Sequence, residues 1–148
     1  RFGAGIALAL LGRFEEALVL AEEGVRALPG RVELRMLLSR LLATVPDRVQ
    51  RDGKRALDLA AIDSAGERTI ANAETMAMAL AELGRFEDAA RWQQAAVARI
   101  EDADGDFAWM RERLARYLQR KPCRRPWESA EQVSSLRIDD DGWQRLDT

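Results

Sequence analysis

From Val32 to Thr44, the apolar residues Leu34, Leu37, Leu38, Leu41 and Leu42 recur at three- and four-residue steps. That is the period of one face of an α-helix, and it predicts a helix over 32–44. Val45, Pro46 and Asp47 break the pattern, since proline cannot continue the helix. It resumes after Asp52 with Ala56 and Ala60 one turn apart, so a second helix is expected there, after a lengthened turn over 46–51. Phe107, Met110, Leu114, Tyr117 and Leu118 share another helical face, which predicts a closing helix over 106–120, stopped at Lys121 and Pro122. No stretch alternates Val, Ile or Thr at the two-residue period of a strand. The pattern therefore predicts an all-α chain.

A repeat underlies this pattern. Leu11-Gly12-Arg13-Phe14-Glu15-Glu16-Ala17 returns as Leu83-Gly84-Arg85-Phe86-Glu87-Asp88-Ala89, 72 residues later, with a single Glu-to-Asp exchange. The chemistry of both copies is that of a helical hairpin. Glycine after an apolar helix can take the left-handed conformation that ends it. Phe14 and Phe86 then plug the space between outgoing and returning helices. Glu15, Glu16, Glu87 and Asp88 fall in the first turn of the next helix, where the positive end of its dipole favours them. Ala17 and Ala89 are small where two helices must approach closely.

These residues resemble the tetratricopeptide-repeat (TPR) family. Gly12, Phe14, Ala17, Ala21 and Pro29 match the second half of such a repeat, and Gly5 and Leu8 fit the small and large positions of the helix before it. Ala73, Met76, Ala77, Leu80, Gly84, Phe86, Ala89 and Ala96 form a second copy, with Glu101 in place of the closing proline. The separation of 72 residues is close to two periods of about 34 residues each. The family's early tryptophan is missing from each copy. Between the two copies lies a degenerate unit, similar to an extended repeat of some bacterial TPR proteins, in which Arg51-Asp52-Gly53 opens the second helix. The resemblance implies a right-handed superhelical stack of hairpins: repeats over about 1–30, 31–66 and 69–101, a cap helix over 106–120 and an irregular tail over 121–148. A cap is expected because the last repeat would otherwise expose its apolar face.

Composition narrows the chemistry. The 148 residues suffice for one domain, and 47% hydrophobic with 32% charged residues excludes disorder. There is no histidine, which removes the commonest general base and metal ligand. The single cysteine, Cys123, stands beside Lys121, Arg124 and Arg125, and reads as incidental rather than nucleophilic. Asp139-Asp140-Asp141-Gly142 lacks the ligand spacing and closing glutamate of a calcium loop and reads as a solvated turn. Neither a catalytic residue, a metal nor a cofactor is expected. A net charge of −2 gives no global footprint for nucleic acid. Locally, Arg111, Arg113, Arg116, Arg120, Lys121, Arg124 and Arg125 are offset only by Glu112. This reads either as a solvated helix face or as a patch for an anionic partner. The apolar run over 3–11 falls short of the ~20 residues a membrane span needs. The chain begins with Arg1 rather than Met and is expected to be part of a longer protein, which leaves its compartment open.

The function expected from the resemblance is non-catalytic. In TPR proteins the first helix of each hairpin lines a concave face that takes a peptide or partner helix. By position, that lining is Phe2, Ile6, Glu33, Met36, Arg40, Glu74, Met78 and Glu82. Met36 and Met78 at helical spacing read equally well as core residues. The lysine and asparagine clamp that some TPRs use for chaperone tails is absent from these positions, which argues against a co-chaperone. The leading expectation is a protein–protein interaction module binding a peptide or partner domain. The alternative is a structural or oligomerisation appendage of a larger enzyme or membrane-attached protein, its groove filled within the same assembly.

Overall fold

The computed structural model describes residues 2–66, 68–100 and 107–128. Within them the chain forms seven α-helices and no strand: α1 (Phe2–Leu10), α2 (Phe14–Ala27), α3 (Val32–Thr44), α4 (Gly53–Ser64), α5 (Ile70–Glu82), α6 (Phe86–Ala98) and α7 (Ala108–Leu118). Each helix packs on the next, and α3 also touches α1 and α5. The odd-numbered α1, α3 and α5 thus form one layer, with α2, α4 and α6 against it. Glu101, position 106 of the expected cap helix, and the tail beyond 128 with the 139–142 turn lie outside the described residues.

The two copies of the repeated heptapeptide fold alike. Gly12 and Gly84 each take φ +77°, which an L side chain resists. The amide of Arg13 donates to the Leu8 carbonyl and that of Arg85 to the Leu80 carbonyl, both at 2.9 Å, so each helix end closes with the same wrapped bond. Arg13 pairs with Glu16, and Arg85 with Asp88. The second acid of the motif therefore binds the arginine before the helix as well as favouring the helix dipole. Between the copies, the Asp52 carboxylate accepts the Arg55 amide at 3.0 Å and starts α4.

Alanine sets the spacing between layers. Ala17, Ala21, Ala56, Ala60, Ala89 and Ala96 are essentially sealed from solvent. In contrast to the apolar stripe expected for α3, that helix is buried on every side from Met36 onward, and α5 is buried from Ile70 to Ala81. Both are central helices with neighbours all round, so even their polar residues are enclosed. α7 is shorter than the expected 106–120, and Leu118 does not share its buried face: it is 69% exposed, at the helix end beyond the reach of α6. No helix among the described residues is long and apolar enough to cross a membrane.

Candidate functional site

The inner face of α1, α3 and α5 is covered by the chain's own segment after α7. The chain leaves α7 through Arg120, at φ +59°, the one non-glycine residue among those described with positive φ. The Arg120 guanidinium lies 5.2 Å from the Phe86 ring centre, and Arg116 donates to the Pro122 carbonyl at 2.8 Å. From there, residues 121–128 run without helix or strand across the helices. Two prolines, Pro122 and Pro126, stiffen this strap.

Three scaffold elements grip it. At the end of α5, Glu82 accepts Arg124 of the strap at 2.6 Å through one oxygen and Arg51 at 2.9 Å through the other. On α3, Arg40 donates to the Pro126 carbonyl at 3.1 Å, to the Ala71 carbonyl at 2.9 Å and to the Thr75 hydroxyl at 2.8 Å. Its guanidinium carbon also lies 5.0 Å from the centre of the Trp127 ring. On α1, Phe2 meets Trp127 edge-on, ring centres 6.2 Å apart. Trp127 itself is only 3% exposed, although it sits in an irregular segment. Beside the strap, Ala9, Gly12, Phe14, Pro46, Arg125 and Trp127 are among the walls of a cavity of about 400 Å³.

Below the strap lies a buried polar junction. Arg113 of α7 donates to Glu74 of α5 at 2.9 Å, with both side chains essentially sealed from water. Gln93 of α6 donates to the same Glu74 oxygen at 3.2 Å and to the Met110 carbonyl at 3.0 Å. Burial pulls Arg113 down, but the Glu74 carboxylate prevails and its pKa ends above the ordinary range. For Arg40, whose hydrogen-bond acceptors are neutral, burial outweighs the more distant pull of Glu74, which Arg113 opposes, and takes it down to about 10, so it remains charged at neutral pH.

Of the eight positions expected to line a groove, Phe2, Arg40 and Glu82 touch the strap directly. Ile6, Met36 and Met78 are buried in the same hydrophobic cluster as Trp127, Tyr117 and Cys123. Glu74 is held by α7, and Glu33 pairs with Arg31 at the start of α3. Sequence reasoning missed Gln93 and the burial of Arg113, and put no residue of the strap among the site positions. A signal existed: Glu74 is the one charge between Ile70 and Ala81 of α5, and Arg40 the one charge between Met36 and Thr44 of α3. Such charges sit inside a protein only when paired or hydrogen-bonded.

Comparison of the chain with protein-family models, curated proteins and solved structures finds no match. The assignment of a role therefore rests on the geometry. The basic stretch is largely committed internally: Arg113 to Glu74, Arg124 to Glu82, Arg120 to Phe86 and Arg116 to Pro122. A second concavity of about 310 Å³ is lined by Arg68, Thr69, Ala73, Arg91, Trp92 and Arg99 among others. Its cations are also engaged, with Arg68 over Trp92, Arg91 on Asp88 and Arg99 on the Arg68 carbonyl.

Tyr117 reports on this junction. It is the only tyrosine, it is 1% exposed, and its buried hydroxyl has no hydrogen-bond partner among the described residues. Burial, with the Cys123 thiol adding to it, pushes the phenol well above its ordinary value of 10.0. Above about pH 10 the unfolded chain loses this proton while the folded chain keeps it, so the contribution to stability is complete below that pH and declines above it. An absorbance titration near the tyrosinate band should show no ionisation until the chain unfolds. A reversible step at the ordinary pH in folded protein would mean that the junction is open to water. Tyr117→Phe, which removes an unsatisfied buried hydroxyl, is expected to change stability by no more than about 1 kcal/mol.

Proposed function

We propose that the chain is a non-catalytic interaction module of TPR type, a superhelical stack of three hairpins with α7 as cap, whose inner face binds an extended peptide segment. The observation that carries this reading is that α1, α3 and α5 together grip one irregular segment, 121–128, through an aromatic anchor, a carbonyl contact and an ion pair. That is the chemistry of peptide recognition on a helical scaffold: apolar anchors in the middle and charges at the rim. The buried carboxylate fits a structural placement, since Glu74 is tied to Arg113 and Gln93.

A test is to select peptides from a displayed random library on the full-length chain and map them by methyl resonances. Binders to the inner face shift the methyl signals of Met36 and Met78 and are weakened at least about 10-fold by Glu82→Lys, a rim substitution. Peptides that bind but leave both methyl signals unchanged would count against the reading.

The appendage reading draws on the same strap, taken as a permanent filling of the face. Hydrogen exchange separates the two. A displaceable strap exposes the Trp127 indole N–H by local opening, well below the global unfolding free energy, whereas a permanent one exchanges only with the core helices.

A further inference from the structure

We propose that residues 121–128 are a self-ligand, and that the external partner of the inner face is an extended peptide carrying the same pattern: arginine, any residue, proline, tryptophan. This rests on the reading of that face as a peptide site and adds to it the chemistry of the peptide.

The pattern follows from what each strap residue touches. Arg124 supplies the cation for Glu82, a carboxylate whose other oxygen is already fixed by Arg51 and which is therefore held in place before a ligand arrives. Three residues on, Trp127 fills the space between Phe2 of α1 and Arg40 of α3. In an extended chain, three residues span about 10 Å, so the spacing between the cation and the aromatic anchor is a ruler that helical peptides would not match. Pro126 places its carbonyl on Arg40, and proline at this position keeps the backbone extended at low entropic cost.

Arg40 is the residue that makes the face selective. It is fully buried, yet its direct partners are all neutral: two carbonyls, one hydroxyl and an indole face. The Ala71 and Thr75 contacts come from α5, while the Pro126 carbonyl and Trp127 ring come from the strap. Lifting the strap removes the second pair and opens this side of the guanidinium to water. An incoming peptide must therefore return both a carbonyl and an aromatic face, and an aliphatic side chain at that position does not supply the second.

Because the strap is joined to α7 by one short turn, it competes at an effective concentration in the millimolar range. A peptide added to the wild-type chain meets an occupied face, so an altered strap is the appropriate receptor. The experiment is fluorescence anisotropy with a labelled peptide of residues 121–128, titrated with the full-length chain in three forms: wild type, Trp127→Ala and Arg124→Glu. Circular dichroism and thermal melts check each fold. Both altered chains are expected to bind the peptide at least about 30-fold tighter than wild type. The same peptide carrying Trp127→Ala should lose about 30-fold, and one carrying Arg124→Glu about 10-fold.

Folded altered chains that bind the unaltered and the Trp127→Ala peptides alike, or bind neither, would overturn the proposal. If both altered chains fail to fold, the strap is part of the obligatory core and the proposal is likewise overturned. The peptide-site reading is judged separately: library peptides of a different pattern that still shift Met36 and Met78 would leave that reading standing while this one falls.

Discussion

Arg113→Met should lower the unfolding free energy by about 3–5 kcal/mol, among the largest losses from a single change in this chain. The reason is the partner left behind. Glu74 is completely buried on α5, and among the described residues Arg113 is the only cation within hydrogen-bonding distance of it; Gln93 offers a neutral amide in addition. With Arg113 removed, Glu74 must either keep an uncompensated charge or bind a proton at neutral pH, and both are costly. The double replacement Glu74→Leu/Arg113→Met should recover most of the loss, because it removes both charges and their desolvation together. Gln93 then keeps the Met110 carbonyl as its acceptor. Urea denaturation of the wild type, both single variants and the double variant closes the cycle, and the coupling energy should exceed about 2 kcal/mol. A coupling near zero would mean that water reaches the pair, and α7 would then not be locked in the way the strap requires. That lock matters for function: α7 sets the point from which 121–128 start back across the inner face.

The hairpin turns were legible from sequence because their causes are local. A glycine with positive φ, an aromatic plug, two acids and a small residue within seven positions define the turn wherever they occur, and both copies fold alike. The extent of α3 and the start of α4 were legible for a similar reason, with Pro46 and Asp52 marking the boundaries. Periodicity said less about how completely each helix is enclosed. It gave α3 a stripe, whereas α3 touches α1, α2, α4 and α5 and has no exposed face beyond its first turn. It also placed Leu118 on the buried face of α7, where the helix in fact runs past its neighbour.

The candidate face was readable as a set of positions but not as a structure. Phe2 and Trp127 are 125 residues apart in sequence, and Arg40 and Pro126 are 86 apart. No local period links such pairs. What sequence could register was a single charge within a long uncharged stretch, Arg40 in 36–44 and Glu74 in 70–81, which implies partners without naming them. The basic run over 111–125 misleads for the complementary reason. Counted along the chain it is a patch, yet Arg113 points inward to Glu74 and Arg124 to Glu82.

Leu37→Ala should cost about 3–4 kcal/mol, and its interplay with Gly5 tests how the inner layer is built. Leu37 is completely buried in the central helix α3. A Cβ on Gly5 would fall 2.4 Å from the Leu37 Cδ2, so the leucine occupies the space that the glycine leaves open between α1 and α3. In the wild-type background Gly5→Val should therefore destabilise, since a fully packed leucine must give way. In the Leu37→Ala background the same substitution should stabilise by about 1 kcal/mol: it fills part of the cavity, and valine in place of glycine adds a few tenths of a kcal/mol of helix propensity. The expected result is thus a reversal of sign, which denaturant melts of the four proteins would read. If Gly5→Val stabilised both backgrounds, α1 would not approach α3 closely. The consequence reaches the candidate site, because it is this approach that brings Phe2 of α1 and Arg40 of α3 to opposite sides of Trp127. A valine that forced the helices apart would widen that slot, so Gly5→Val alone should also raise the exposure of the Trp127 indole in hydrogen exchange.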